Sequence, residues 1–285
     1  MQRVDGNGPV RWAPAKTTWF LVTGVTGLLA MPLALSVETA AVGAALGFGT
    51  FLFGHTVGLH RGVLHRSYQM PLGLRNFLLW VFVLTGLGGP LWWMRAHNQR
   101  DHWQNQDASP PWFRYDHGPV QDFWWNVHTV YVEDRSYVRE EDRLDPWLGF
   151  LQRTWLLQNL AFFAVLGAVG GWEHLAIGGF LRVWLSLILH WYVGYEAHSK
   201  GELRYPVAGA TECGRNRPIL GILSLGEGFH NNHHAFPDSA RIGFRSREID
   251  IGWWVIVGME AIGLAWDVNR PEACRQRTSA SVPAP

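Results

Sequence analysis

The chain has 285 residues, a formal net charge of +1 and only 16% charged side chains, well below the roughly 25% of ordinary soluble domains. Near-neutrality leaves no strong field to attract nucleic acid. Two cysteines, Cys213 and Cys274, are too few for a thiolate-only metal site or a secreted disulfide framework.

The chain is 48% hydrophobic and holds 17 tryptophans, the residue enriched where proteins cross a bilayer surface. A spanning helix needs about 20 mostly apolar residues. In chain order, four segments supply them: 17–37, 39–60, 154–172 and 175–198. The last carries Arg182, which must snorkel or find a partner. The run 74–94 is apolar too, but a Gly-Gly-Pro break at 88–90 and the pair Trp92 and Trp93 suit an interfacial helix better. The run 249–268 is similar, with Glu260 in its middle. No cleavable signal is evident, because the first apolar run is followed at once by a second.

Lys and Arg are missing between spans one and two and between spans three and four. They collect on the other side, at Arg3, Arg11 and Lys16, at Arg61, Arg66, Arg95 and Arg100, and at Lys200, Arg204, Arg215 and Arg217. The positive-inside rule then places both termini and all large loops in the cytoplasm. The expected fold is all-α: four transmembrane helices under a cytoplasmic helical cap built from 95–153 and 199–249. Residues 1–16 and 271–285 read as disordered tails around one domain, 17–270. The alternative is a soluble all-α protein with very hydrophobic core helices, which the loop charges disfavour.

Nearly all of the 13 histidines gather at the cytoplasmic end of this bundle, His174 lying on the opposite side. His55, His60 and His65 lie in HTVGLHRGVLHRSYQ at the end of span two. His97 and His102 lie in RAHNQRDHWQNQ. His198 closes span four, and His230, His233 and His234 lie in GEGFHNNHHAFP. If 230–234 is helical, offsets of three and four put its imidazoles on one face. His60 and His65, five apart, diverge by about 140° on a straight α-helix, and His97 and His102 repeat that spacing. Such pairs suit two neighbouring centres better than one.

Imidazole without thiolate suits Zn, Cu, Fe or Ni. The nitrogen ligands outnumber the roughly four that a structural zinc takes, and two metals would consume them. Glu227, Asn231 and Asn232 flank the last box and can orient its rings from behind. His55 and His190 lie deeper, where a neutral, hydrogen-bonded histidine is the commoner outcome. His117, His128 and His174 receive no role.

HRGVLHRS and GEGFHNNHHAFP make the sequence similar to the integral-membrane fatty acid desaturases, in particular their acyl-CoA branch, over about residues 17–266. The resemblance implies a non-haem centre of two irons, dioxygen as co-substrate, two external electrons and a cis double bond placed in an acyl chain. It also implies, position by position, that His60 and His65, His97, His198, and His230, His233 and His234 are metal ligands. Two departures stand out. The second box usually reads His-x-x-His-His, but Arg100 and Asp101 occupy the paired positions and His102 follows. Either Asp101 supplies a carboxylate ligand, or His102 fills the site through a one-residue shift. An Asn that usually precedes the isolated histidine by four is Gly194 here, which leaves Glu196 or a third-box Asn to hold any water.

The resemblance makes a membrane-bound acyl desaturase the leading expectation, in a bacterial inner membrane with a cytoplasmic site. A hydroxylase on the same histidine set is its near alternative. A bis-histidine b-haem electron carrier is a third reading, and a zinc hydrolase would need a His-Glu-x-x-His motif that does not occur. With no haem domain, thiolate cluster or dinucleotide fingerprint in the sequence, electrons are expected from a ferredoxin or cytochrome b5-like donor with an NAD(P)H reductase. The substrate would be an acyl thioester or lipid acyl chain. Arg95, Arg114 or Arg204 would hold a phosphorylated carrier, or serve as juxtamembrane anchors.

Overall fold

The structure, a computed structural model, describes residues 9–211 and 214–277. Cys213 lies outside them. Three helical runs are long and apolar enough to cross a membrane: Pro14–Ala34, Val37–Leu64 and Pro146–Ser199. Helix α1 is Pro14–Ala34. Helix α2 is Val37–Gly49, started by a capping box in which Ser36 and Thr39 bond reciprocally, and it continues as a π-helix over Thr50–Leu64. Helix α3, Leu72–Val83, and α4, Pro90–Gln104, follow. The Gly-Gly-Pro break falls between them, with Pro90 at the first turn of α4, where its missing N–H costs nothing.

The third run is 54 residues long, and it does not continue straight. Helices α5, Pro119–His128, and α6, Glu140–Leu144, precede it. Helix α7, Pro146–His174, contains Gly171 at φ 77°, a left-handed conformation natural only to glycine. The chain reverses there. A π-helical stretch, Leu175–Leu181, leads into α8, Arg182–Ser199, and Phe180 packs on Phe163 with ring centroids 4.9 Å apart. His174 and Glu38 stand 3.6 Å apart, so the α1–α2 and α7–α8 turns share one end of the bundle. His60 and His198 therefore share the other.

Two polar side chains inside the bundle find backbone acceptors, as an apolar medium favours. Arg182 donates to the carbonyls of Gly178 and Leu84. Asn159 donates to Val83 and Trp155 and stitches α7 to α3.

The fold departs from the all-α expectation in one detail, a two-stranded antiparallel ribbon of Val10–Trp12 on Thr129–Tyr131. The expected tails lie partly outside the described residues. Within them, the ribbon pins residues 10–12. At the other end the Arg277 amide donates to Ala235 at 2.7 Å, and Cys274 is a free thiol. Helices α9, Pro218–Leu223, α10, His230–Ala235, and α11, Ile251–Ala261, complete the chain.

Candidate metal centre

Seven histidines, from the end of the π-helix that continues α2 and from α4, α8 and α10, form two groups. His60, His65, His97 and His233 make the first; His198, His230 and His234 make the second. Within each group, one ring nitrogen per residue lies within 4.8 Å of the others. All are buried except His65, which is half-buried.

Helix geometry decides the membership. His65 donates its amide to the His60 carbonyl, an i→i+5 bond of the π-helix, and this turn returns residue 65 to the side of residue 60. The two rings lie 4.9 Å apart, in one group. The expected divergence of His60 and His65 is thus overturned, because it assumed an α-helix. On α4, which is regular, the same spacing does separate the residues. His97 joins the first group, while the His102 ring packs on Trp103 and Tyr137 and takes a hydrogen bond from Arg135. The short α10 divides its own histidines. His230 and His234, one turn apart, face each other with Nε2 atoms at 3.2 Å, while His233 turns to His60 and His65, with ring centroids 4.6 Å from each.

Backbone and carboxylate groups aim the rings. His198 Nδ1 bonds to the Gly194 carbonyl at 2.6 Å, so the residue that replaces the expected Asn contributes its backbone, and Nε2 is left facing the site. His60 Nδ1 stands 2.8 Å from Glu227 Oε2. Burial alone would raise the Glu227 carboxyl, but its neighbours His60 and Arg61 hold it well below the usual carboxylate range. Asn231 and Asn232 act differently from the ring-orienting role read from sequence. Asn231 accepts from the amides of Arg204 and Tyr205. Asn232 bonds to Asn216, Ile242 and Glu248. Both fasten the loops around α10.

Several parts of the site were not legible in sequence. Arg61 reads there as a loop charge, yet it is 1% exposed and bonds to Glu227, Asp250 and the Ala240 carbonyl. Arg204 turns inward to Glu202 and Glu248, Arg95 donates to the Glu133 carbonyl, and Arg114 lies beside Asp116. His190 accepts from Trp93 Nε1 at 3.3 Å, the hydrogen-bonded state expected of it, whereas both nitrogens of His55 lack a hydrogen-bond partner among the described residues. His55 and His190 line an apolar cavity of about 440 Å³ between α2 and α8. Its lining reaches from Leu35, at the turn end, to Glu227, beside the histidines.

The donor set fits metal ions. Nitrogens of His65, His97, His198, His230, His233 and His234, and Asp101 Oδ1, are buried with no hydrogen-bond partner among the described residues. Such burial is costly unless a cation meets these lone pairs. Burial also holds His97, His233 and His234 well below the usual imidazole range and pushes His230 down to about 4. The rings are therefore neutral near pH 7, the form that binds metal.

Residues 38–245 match the fatty acid desaturase family. Similar proteins include the sn-1 stearoyl-lipid 9-desaturase of Anabaena variabilis, 32% identical over 91% of this chain and 94% of that protein. The Delta-9 acyl-lipid desaturase 1 of Arabidopsis thaliana is 32% identical over 80% of this chain and 75% of its own. An acyl-CoA 5-desaturase of Anemone leveillei is 28% identical over 94% and 88%. The chain belongs to the fatty acid desaturase family. It is an oxidoreductase that desaturates acyl chains, which sets aside the haem-carrier and zinc-hydrolase readings.

Proposed function

We propose that this protein inserts a cis double bond into a long acyl chain at a centre of two irons, with dioxygen as co-substrate. The observation that carries this reading is the pair of histidine groups beside an apolar cavity. His60, His65, His97 and His233 hold one iron; His198, His230 and His234 hold the other. Bound iron supplies the power to oxidise an unactivated methylene, which no protein acid or base can do.

The chain supplies position and dryness. Phe48, Phe51, Leu185 and Leu189 line the cavity and keep water from the acyl chain. Glu227 and the Gly194 carbonyl fix the rings of His60 and His198. The reversal at Gly171 divides the 54-residue run into two spans, so four spans cross the membrane. Both termini and the histidines face the cytoplasm by the distribution of Lys and Arg. Electrons arrive from a ferredoxin or cytochrome b5-like donor with its NAD(P)H reductase. Purified protein supplied with NADPH alone is expected not to turn over.

Expression in a host of known lipid composition, followed by mass spectrometry of its acyl chains, tests the reading. A new double bond is expected, and feeding acyl-CoA or intact lipid separates the carriers. Incorporation of labelled oxygen into the lipid product would instead identify a hydroxylase.

A further inference from the structure

We infer that Asp101, placed between the two histidine groups, is a further metal ligand, and that Arg277 positions it. The inference rests on the two-iron reading and adds a residue to it.

On α4, His97 and Asp101 are four apart and share a face. Asp101 Oδ1 lies 3.9 Å from His97 Nδ1, in the first group. The same oxygen lies 3.8 Å from His234 Nε2, in the second. Both distances exceed hydrogen-bond reach, and Oδ1 has no hydrogen-bond partner among the described residues. The residue is 6% exposed. A buried carboxylate oxygen facing imidazoles, with no donor, is costly unless a cation lies between them. An iron held by either histidine group would supply the cation this oxygen lacks, and carboxylate is an accepted ligand type beside imidazole for iron.

The other oxygen is held from a distant part of the chain. Arg277 Nη1 lies 3.5 Å from Asp101 Oδ2. Two bonds fasten this segment: the Arg277 amide to the carbonyl of Ala235, the residue after His234, and Gln276 Nε2 to the Pro206 carbonyl. The C-terminal segment thus closes over α10 and presents its cation to Asp101. His102 is engaged elsewhere, with Arg135 on one side and Tyr137 on the other. The helix has not shifted by one residue to bring it in.

The test uses full-length protein in detergent, loaded with isotopically enriched iron. Metal content is read by elemental analysis and the iron environment by Mössbauer spectroscopy. Wild type is expected to bind about two irons per chain. Asp101→Ala and Asp101→Asn are expected to keep about one or fewer, while Asp101→His, which offers another ligand type in place of the carboxylate, keeps about two and shows that loss in the others is not misfolding. His102→Ala is expected to keep about two with an unchanged spectrum. Arg277→Ala is expected to weaken retention of the more labile iron about tenfold, the scale of effect of a residue behind a ligand. Asp101→Ala with full iron and an unchanged spectrum would overturn the inference while leaving the two-iron reading intact. So would iron loss in His102→Ala equal to that in Asp101→Ala. Wild type binding fewer than two irons would sink the two-iron reading and this inference with it.

Discussion

His60 and His65 lie with their rings 4.9 Å apart, five residues from each other, because the His65 amide bonds to the His60 carbonyl across a π-turn. His97 and His102 have the same spacing on a regular α-helix, and only His97 faces the site. The first pair can reach one centre together; the second cannot. Local helix type, as much as residue identity, sets which imidazoles meet.

The π-helix is wedged against α3, and Gly54 is where the two backbones touch. A Cβ at Gly54 would collide with the backbone of Phe82 and Val81. Gly54→Ala is expected to force α3 away, at a cost of about 1–3 kcal/mol. A thermal melt in detergent should show a lower midpoint, and iron content should fall with it.

The split of α10 makes a distinct forecast for each histidine. His233→Ala strips the first group, whereas His230→Ala and His234→Ala strip the second. Each is expected to abolish desaturation and to lower bound iron. A variant that kept full activity and full iron would drop out of the ligand set.

Arg61 sits between two carboxylates, 3.2 Å from Glu227 and 2.9 Å from Asp250, and is almost wholly buried. Arg61→Ala leaves both anions without their guanidinium, a loss on the order of 3–5 kcal/mol. The chain is expected to express poorly or melt early. Glu227→Gln is milder: it keeps the shape and removes the charge behind His60. Iron affinity should drop about 10–100-fold, as competition with a chelator would report, with a smaller loss of melting temperature than in Arg61→Ala because Asp250 still pairs with Arg61.

Glu248 gives a pH dependence. Burial would raise its carboxyl, but Arg204 and the amides of Phe244 and Arg245 bond to the ionised form and hold it below its ordinary 4.5. The folded protein therefore favours the ionised group more than the unfolded chain does. Its contribution is fully present above about pH 4.5 and is lost as pH falls through the lower, folded value. Wild type should lose thermal stability as the medium is acidified below 4.5, and Glu248→Gln should lose less over that interval. Equal slopes would show that Glu248 does not drive the effect.

Much of the site is legible in the order of residues alone. The histidine boxes stand out because so many imidazoles are rare in such company, but the one shared face expected of a helix at 230–234 is divided, with His233 in one group and His230 and His234 in the other. The partners of those residues are harder to read. Arg61 resembles a topological charge because its acceptors, Glu227 and Asp250, lie 166 and 189 positions away. Asn231 and Asn232 resemble ring-orienting groups because sequence proximity does not reveal direction. Both bond away from the rings, to the loops that α10 must hold in place.

The amino-acid sequence by itself determined that apolar helices would gather into a bundle and that histidines would crowd one end, since hydropathy and ligand chemistry are properties of residues read in order. Only the tertiary structure decided which imidazoles share a centre, that the stretch before His65 winds as a π-helix, and that Asp101 lies between the two groups with Arg277 behind it. Those outcomes depend on helix winding and on contacts between distant segments. Both are settled by packing, which no local stretch of the chain encodes alone.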